Sequence, residues 1–121
     1  MTKADTDSLD RLNRRLAEFA RARDWEPFHT PKNLSMALIA EAAELVEHFQ
    51  WLSQAESAAL PPDKREAVRL ELADILIYLV RLGERLDIDL LQAAHDKMDI
   101  NEARFPVDKV RGLARRASEY D

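Results

Sequence analysis

Apolar residues recur at helical spacing along most of this chain. Leu9, Leu12, Leu16 and Phe19 follow one another at intervals of three or four, which predicts a helix over residues 7–24. The same periodicity predicts three further helices, over residues 31–51, 63–86 and 88–103. No segment shows the strict alternation of a strand. The sequence therefore predicts an all-α fold, and four helices with short links favour a four-helix bundle.

Prolines mark where these helices begin and end. Residues 25–31 hold two prolines and two aromatic residues, which a helix cannot run through. Thr30 followed by Pro31 is typical of a helix N-cap followed by the first helical residue. Residues 52–62 are predicted to form a connecting loop that could include a partial turn, and Pro106 ends the fourth helix.

Length and composition indicate one globular domain. The chain has 121 residues, of which 46% are hydrophobic and 34% are charged. We expect a single domain over residues 1–121, with residues 107–121 forming a peripheral helix or a partly disordered tail. The third predicted helix is apolar nearly all round, so we expect it to be buried against another subunit as well as its own neighbours.

Charge and residue content exclude several classes of function. A net charge of −5 argues against binding of a nucleic-acid polymer, although a free nucleotide remains compatible. With two glycines, the chain lacks a Gly-rich phosphate loop. The longest apolar run, residues 75–80, is too short to span a membrane, and no apolar leader follows the N-terminus. The absence of cysteine fits a cytoplasmic location.

Two pairs of carboxylates interrupt otherwise apolar helical stretches. Glu41 and Glu44 lie in the second helix, and Glu71 and Asp74 lie in the third. Each pair is three residues apart and so shares a helix face. A carboxylate among apolar residues is costly without a cation, so four facing ones predict a divalent metal site, and oxygen ligands favour Mg²⁺ or Mn²⁺. The alternative is ordinary surface charge on amphipathic helices.

Aromatic residues bracket the second helix. The rings of Trp25, Phe28 and Trp51 can stack on a nucleobase, and the imidazole of His29 can hydrogen-bond a base or a phosphate. The alternative is that the two Trp residues close the ends of a helical core.

Further polar residues continue these helix faces. Tyr78 lies one turn after Asp74, where its hydroxyl could orient a ligand or bond to the backbone. Lys97 and Asn101 form a polar stripe with Arg104 on the fourth helix. Lys97 would neutralise phosphate charge and Asn101 could read a base edge, unless the stripe is simply solvated.

Several of these patterns occur together in one known family. They are the core Glu-x-x-Glu and Glu-x-x-Asp pairs and the surrounding residues 23–34, 49–51, 74–79 and 97–101. On these motifs the chain resembles the MazG-like all-α nucleoside triphosphate pyrophosphohydrolases, particularly their dCTP pyrophosphatase branch, from about residue 9 to residue 106.

The resemblance implies Mg²⁺-dependent hydrolysis of a (d)NTP to the monophosphate and diphosphate, with dCTP or a 5-modified dCTP as substrate in nucleotide-pool house-cleaning. It also implies a homodimer or a homotetramer built as a dimer of dimers. The implied metal ligands are Glu41, Glu44, Glu71 and Asp74. The residues implied to bind the nucleoside are Trp25, His29, Trp51, Tyr78 and Asn101, with Lys97 near the phosphates.

Two positions depart from the branch, and one role stays open. Lys32 stands where Arg is common, and Leu16 stands where some relatives have a polar pocket residue, so base and sugar preference are open. Glu47, one turn after Glu44, is a candidate general base, although a surface charge fits its spacing equally well. The alternatives are a hydrolase of dUTP or of a damaged nucleotide, and a non-catalytic helical module that binds a nucleotide or a partner.

Overall fold

The computed structural model describes residues 8–114 and 117–120, and every regular element in those ranges is helical. In chain order the α-helices are α1 (Leu9–Ala22), α2 (Pro31–Glu47), α3 (Gln54–Ser57), α4 (Pro62–Arg85), α5 (Leu90–Arg104) and α6 (Val107–Val110). Short 3₁₀ helices occupy Glu26–Phe28 and Ala117–Tyr120. The all-α class is confirmed, and the four long helices correspond to the four predicted ones. Their arrangement as one bundle remains a prediction.

Side-chain caps fix where the long helices begin. The Ser8 hydroxyl accepts a hydrogen bond from the Arg11 backbone N–H at 3.1 Å and so caps α1. The Thr30 hydroxyl accepts from the Asn33 N–H at 3.2 Å, with Pro31 as the first residue of α2. The predicted capping by Thr30-Pro31 is therefore confirmed.

Three helix ends differ from the periodicity because of local backbone geometry. Helix α2 ends at Glu47 rather than residue 51, because the N–H groups of Phe49 and Gln50 both bond to the Val46 carbonyl in a tight turn. Asp24 and Asp87 have φ of 54°, and this left-handed backbone ends the helical path of the chain just beyond α1 and α4. An Asp side chain tolerates this left-handed conformation better than most residues do.

The chain separates into two units, Met1–Asp87 and Ile88–Asp121. In the first unit α2 packs along α4, and α1 packs against α4 as well. Its buried hydrophobic side chains are Ala20 on α1, Leu34 on α2, and Val68 and Val80 on α4. The second unit contains α5, α6 and the 3₁₀ helix Ala117–Tyr120. The single-domain organisation and the character of the 107–121 tail remain predictions, and residues 115, 116 and 121 of that tail lie outside the described residues.

Large apolar side chains also lie on exposed helix faces of the first unit. On α4, Leu72, Leu76 and Leu79 are 52%, 42% and 40% exposed. On α2, Met36 and Ile39 are more than half exposed. Exposed apolar stripes of this kind are typical of surfaces that contact another protein. None of the helices that the structure describes is long and apolar enough to cross a membrane.

Leu34 is the largest fully buried side chain in the described part of the chain, with 2% of its surface exposed. We expect Leu34→Ala to lower the free energy of unfolding by about 3 kcal/mol, because it removes buried methyl groups and leaves a cavity. Urea denaturation followed by circular dichroism measures this. The control is Leu91→Ala on α5, where the side chain is 56% exposed and the expected loss is below about 1 kcal/mol. Equal losses at the two positions would contradict the assigned core.

Candidate functional site

Three carboxylates meet where α2 packs against α4. Glu41 and Glu44 come from α2 and Glu71 comes from α4, and one carboxylate oxygen of each lies within 4.8 Å of the others. The spacing of three residues along α2 places its two glutamates on the side that faces α4. Of the four predicted metal ligands, the structure thus brings these three together.

The electrostatics of this cluster are those of crowded negative charge. Glu41 Oε2 and Glu71 Oε2 are buried and have no hydrogen-bond partner. Burial, the close approach of the Glu71 carboxylate, and the charges of Glu44 and Asp74 raise the pKa of Glu41 to about 7. Ordinary surface glutamates are solvated and do not show this combination. The cluster therefore has the character of a binding site rather than of a solvated helix face.

The donor set fits a divalent cation. Its ligand atoms are carboxylate oxygens, which hard cations such as Mg²⁺ and Mn²⁺ prefer. The two buried, unpartnered oxygens of Glu41 and Glu71 are the atoms that such an ion would satisfy. Asp74 lies close enough for its charge to raise the pKa of Glu41. Asp74 is not among the three residues whose oxygens lie within 4.8 Å of one another, and its place as the fourth ligand remains a prediction.

A cavity of about 480 Å³ lies beside the carboxylates, between α1, α4 and the segment that joins α1 to α2. Asp74 lines it and so connects it to the cluster. Its apolar walls are formed by Leu12, Leu16, Phe19, Trp25, Leu34 and Ile77. Polar groups enter it from His29, Tyr78, Arg15 and Arg81. An apolar cavity of this size with a few polar groups is typical of a small-molecule site.

Aromatic rings shape one wall of the cavity. Trp25 stands edge-on to Phe19, with ring centroids 5.6 Å apart, and to His29, with centroids 6.2 Å apart. The 3₁₀ helix Glu26–Phe28 holds Trp25 and His29 at its two ends. The Trp25 side chain is 43% exposed, so part of its face remains free to contact a ligand.

Two arginines of α4 hold His29. Arg81 Nε donates to His29 Nδ1 at 3.2 Å, and Arg85 Nε donates to the His29 backbone carbonyl at 3.1 Å. Arg81 is buried, with 4% of its side chain exposed, and its Nη1 donates to Glu84 at 3.1 Å. Burial, and then the positive charges of Arg81 and Arg85, hold the pKa of His29 below its ordinary value. Both causes favour the neutral imidazole of His29 over the charged one.

The sequence prediction missed Arg81, Arg15 and Phe19 as cavity residues. A signal for Arg81 was present, because it lies three residues after Tyr78 and seven after Asp74, on the same face of α4. Among the predicted nucleoside-binding residues, the cavity includes Trp25, His29 and Tyr78.

Other predicted residues lie away from this cavity or in the second unit. Phe28 and Trp51 are 65% and 87% exposed, and neither they nor the exposed Lys32 is among the residues that line the cavity. Glu47, the candidate base, is exposed at the last position of α2. Lys97 is exposed and Asn101 is half-buried on α5 of the second unit. The roles of these residues remain predictions.

Comparison with known proteins identifies one family. A sequence model of the MazG-like family matches residues 37–119. The chain is 50% identical to dCTP pyrophosphatase 1 of Mus musculus over 109 residues, which cover 88% of this chain and 64% of that protein. It is 45% identical to dCTP pyrophosphatase 1 of Homo sapiens over 114 residues, or 93% of this chain and 67% of that one. This chain thus spans 64% of the length of the Mus musculus relative.

A solved structure agrees with the sequence relatives. The crystal structure of a pyrophosphatase from Archaeoglobus fulgidus matches with a TM-score of 0.77 and 38% sequence identity. The match covers 81% of this chain and 92% of that chain.

The crowding of the carboxylates predicts how Mg²⁺ and pH together change the melting temperature of the protein. Above about pH 7 Glu41 is charged, so the metal-free protein carries its full repulsion, and below that pH a proton competes with the ion. A Mg²⁺ concentration of about 100 times the dissociation constant at pH 8 should therefore raise the melting temperature by roughly 5–10 °C at pH 8. The same concentration should raise it by clearly less at pH 6, where the proton weakens binding of the ion. Scanning fluorimetry with Mg²⁺ and with EDTA measures both values.

The matching variant is Glu41→Gln, which removes one charge from the cluster. It should melt above the wild type in EDTA at pH 8, because the repulsion is relieved, and it should lose most of the Mg²⁺ response. Glu18→Gln, at an exposed position of α1, is the control and should change neither value. A Glu41→Gln protein that keeps the full Mg²⁺ response would contradict the metal site.

Proposed function

This chain belongs to the MazG-like family, and on that premise we propose that it is a nucleoside triphosphate pyrophosphohydrolase. It would convert a (d)NTP and water to a (d)NMP and diphosphate. The observation that supports this most directly is that the carboxylates of Glu41, Glu44 and Glu71 meet within 4.8 Å and adjoin, through Asp74, an apolar cavity of about 480 Å³. The carboxylate end of this site suits a metal ion and the phosphates of a nucleotide. The apolar cavity suits a nucleobase.

The carboxylates would hold the cofactor, and their chemistry favours Mg²⁺, with Mn²⁺ as the alternative. When bound, a divalent cation neutralises phosphate charge and lowers the pKa of a coordinated water. Glu41, Glu44, Glu71 and Asp74 would hold the ion, so the phosphates of the nucleotide would lie at this end of the cavity. Glu47 remains the candidate to accept the proton of the attacking water, since it lies one turn beyond Glu44 and is exposed to solvent.

The cavity would bind the nucleoside. The partly exposed face of Trp25 can stack on a base, and Tyr78 can donate or accept a hydrogen bond from α4. We propose dCTP or a 5-modified dCTP as the substrate, supported by the identity of 45–50% to proteins named dCTP pyrophosphatase 1. The physiological role would be house-cleaning of the nucleotide pool.

A second candidate substrate follows from Leu16. This residue lines the cavity at the position where the resemblance places a polar residue in some relatives, so here the wall offers apolar contact and no side-chain hydrogen bond. That difference favours a different pyrimidine, such as dUTP, or a damaged base as the alternative substrate for the same chemistry.

We also propose that the protein acts as a homodimer or a homotetramer built as a dimer of dimers. The support comes from the exposed stripe of Leu72, Leu76 and Leu79 on α4 and from the exposed Met36 and Ile39 on α2. A second copy would cover these side chains and could also cover Trp51, which is 87% exposed. The cytoplasmic location expected from the sequence remains a prediction.

The activity is tested by diphosphate release from a panel of canonical and modified nucleoside triphosphates, with Mg²⁺ and with EDTA. We expect release with Mg²⁺ only, fastest with dCTP or 5-methyl-dCTP. Glu71→Gln should lower turnover by roughly 100-fold or more while circular dichroism shows unchanged helix content. Fastest release from dUTP or a damaged nucleotide would select the second candidate. No release from any nucleotide by folded protein with Mg²⁺ would favour a non-catalytic binding module.

The oligomeric state is tested by measuring the mass of the protein with light scattering as it elutes from a size-exclusion column. A subunit has a mass of 13.9 kDa, so we expect a measured mass of two or four times that value. Ile39→Glu places a charge at a position that is 68% exposed in the single chain, and it should reduce the measured mass. Gln54→Glu, at the start of α3, is the control and should leave it unchanged. A wild-type mass of one subunit at micromolar concentration would contradict the proposal.

A further inference from the structure

Arg81 is a buried cation at the cavity wall, and its partners are unusual. Only 4% of its side chain is exposed, yet its one carboxylate partner in the described residues is Glu84, whose side chain is 37% exposed. Its Nη2 is buried and has no hydrogen-bond partner. Burying a guanidinium is costly because the charge loses its hydration, and an apolar residue of similar volume is often at least as stabilising. Stability alone therefore does not account for Arg81.

The contact that distinguishes Arg81 is the one to the ring of His29. A guanidinium only donates hydrogen bonds, so at 3.2 Å from Arg81 Nε the His29 Nδ1 must be the acceptor and carry no proton. A neutral imidazole has one proton, which must then lie on Nε2. Arg85 contacts the same residue differently, because its Nε donates to the backbone carbonyl of His29 and not to the ring.

We propose that Arg81 is a positioning residue that holds His29 in the tautomer with its proton on Nε2, so that His29 presents a hydrogen-bond donor to the nucleotide. This rests on the proposed function and specifies how one residue of the site would act. His29 and Arg81 line the same cavity as Asp74 and Tyr78. The group that meets His29 Nε2 is therefore a hydrogen-bond acceptor: a carbonyl oxygen or ring nitrogen of the base, or a phosphate oxygen.

The tautomer is tested directly by ¹⁵N NMR of the imidazole nitrogens at pH 7.5. The chain has three histidines, and His29→Asn identifies the signals of His29 by their loss. We expect wild-type His29 to carry its proton on Nε2, and Arg81→Met to give a mixture of tautomers. Arg85→Met should keep the wild-type tautomer. A wild-type proton on Nδ1, or an unchanged spectrum in Arg81→Met, would overturn the proposal.

Kinetics test the consequence for the substrate. Arg81→Met should raise KM for dCTP by roughly 3- to 10-fold, the effect of one misplaced hydrogen bond, with a smaller change in kcat. Arg85→Met should stay within about twofold of the wild type. If Arg81→Met and Arg85→Met raise KM by the same factor, Arg81 only holds the segment between α1 and α2 in place and the proposal fails. Arg81→Lys keeps a donor and should recover part of the loss, which also covers the case in which Arg81→Met folds poorly.

Two amide variants of His29 test which nitrogen of its ring donates the hydrogen bond to the nucleotide. The amide of Gln reaches the region of Nε2, whereas the shorter amide of Asn reaches that of Nδ1. We therefore expect His29→Gln to retain more activity than His29→Asn, and the reverse order would contradict donation from Nε2. Competitive inhibition by tripolyphosphate, which lacks a base, identifies the acceptor. An inhibition constant unchanged by Arg81→Met assigns the acceptor to the nucleoside, and a raised one assigns it to a phosphate.

Failure of this inference is separable from failure of the proposed function. If the wild type releases diphosphate from no nucleotide, the proposed function fails, and the NMR result still decides whether Arg81 sets the tautomer. If the wild type is active and the tautomer is unaffected by Arg81→Met, the inference alone fails.

Discussion

Mutual repulsion among carboxylates on α2 and α4 is the constraint around which the first unit of this chain is organised. Helix packing forces the contact: Leu34 of α2 and Val68 and Val80 of α4 are buried, and the turns that carry Glu41 and Glu71 lie on the same helices. Two buried oxygens without partners and a pKa of about 7 for Glu41 show that the protein alone does not relieve the repulsion. A cation supplied from solution would relieve it, so the apolar core and the proposed metal site depend on the same helix pair.

Helix α4 also fixes the cavity relative to that cluster. Asp74 lies between the carboxylate cluster and the cavity, and Tyr78 and Arg81 follow on the same face of α4. The distance from the carboxylates to His29 is therefore set by a rigid helix. The opposite wall depends on the turn after α1, where Asp24 adopts a positive φ and redirects the chain so that Trp25 and His29 come back over α4. A site held by a helix on one side and by a hydrogen-bonded turn on the other is well suited to fixed orientation of a ligand.

The helices and the carboxylates could be predicted from the sequence because their signals are local. Periodicity and the Thr30-Pro31 cap need only neighbouring residues, and carboxylates in an apolar stripe are conspicuous within a single helix. The spacing of Arg81 from Tyr78 and Asp74 indicates its face of α4, but its burial could not be predicted, because a lone Arg in an apolar run normally reaches solvent. Its burial depends on His29, which is 52 residues away in the chain. The end of α2 at Glu47 depends on a turn geometry that periodicity does not encode.

The distance between Asp74 and Arg81 along α4 explains why a carboxylate and a guanidinium can line the same cavity without pairing with each other. Asp74 and Arg81 are seven residues apart, or about 10 Å along the helix axis. At an effective dielectric of about 20 their attraction is under about 2 kcal/mol, against about 4 kcal/mol for a pair in contact. An arginine one or two turns earlier could pair with the carboxylates and displace a metal ion. At position 81 it bonds instead to His29 and Glu84, so the carboxylates remain available to a cation and His29 to the proposed nucleotide. The spacing of charges on one helix therefore prevents the site from neutralising itself.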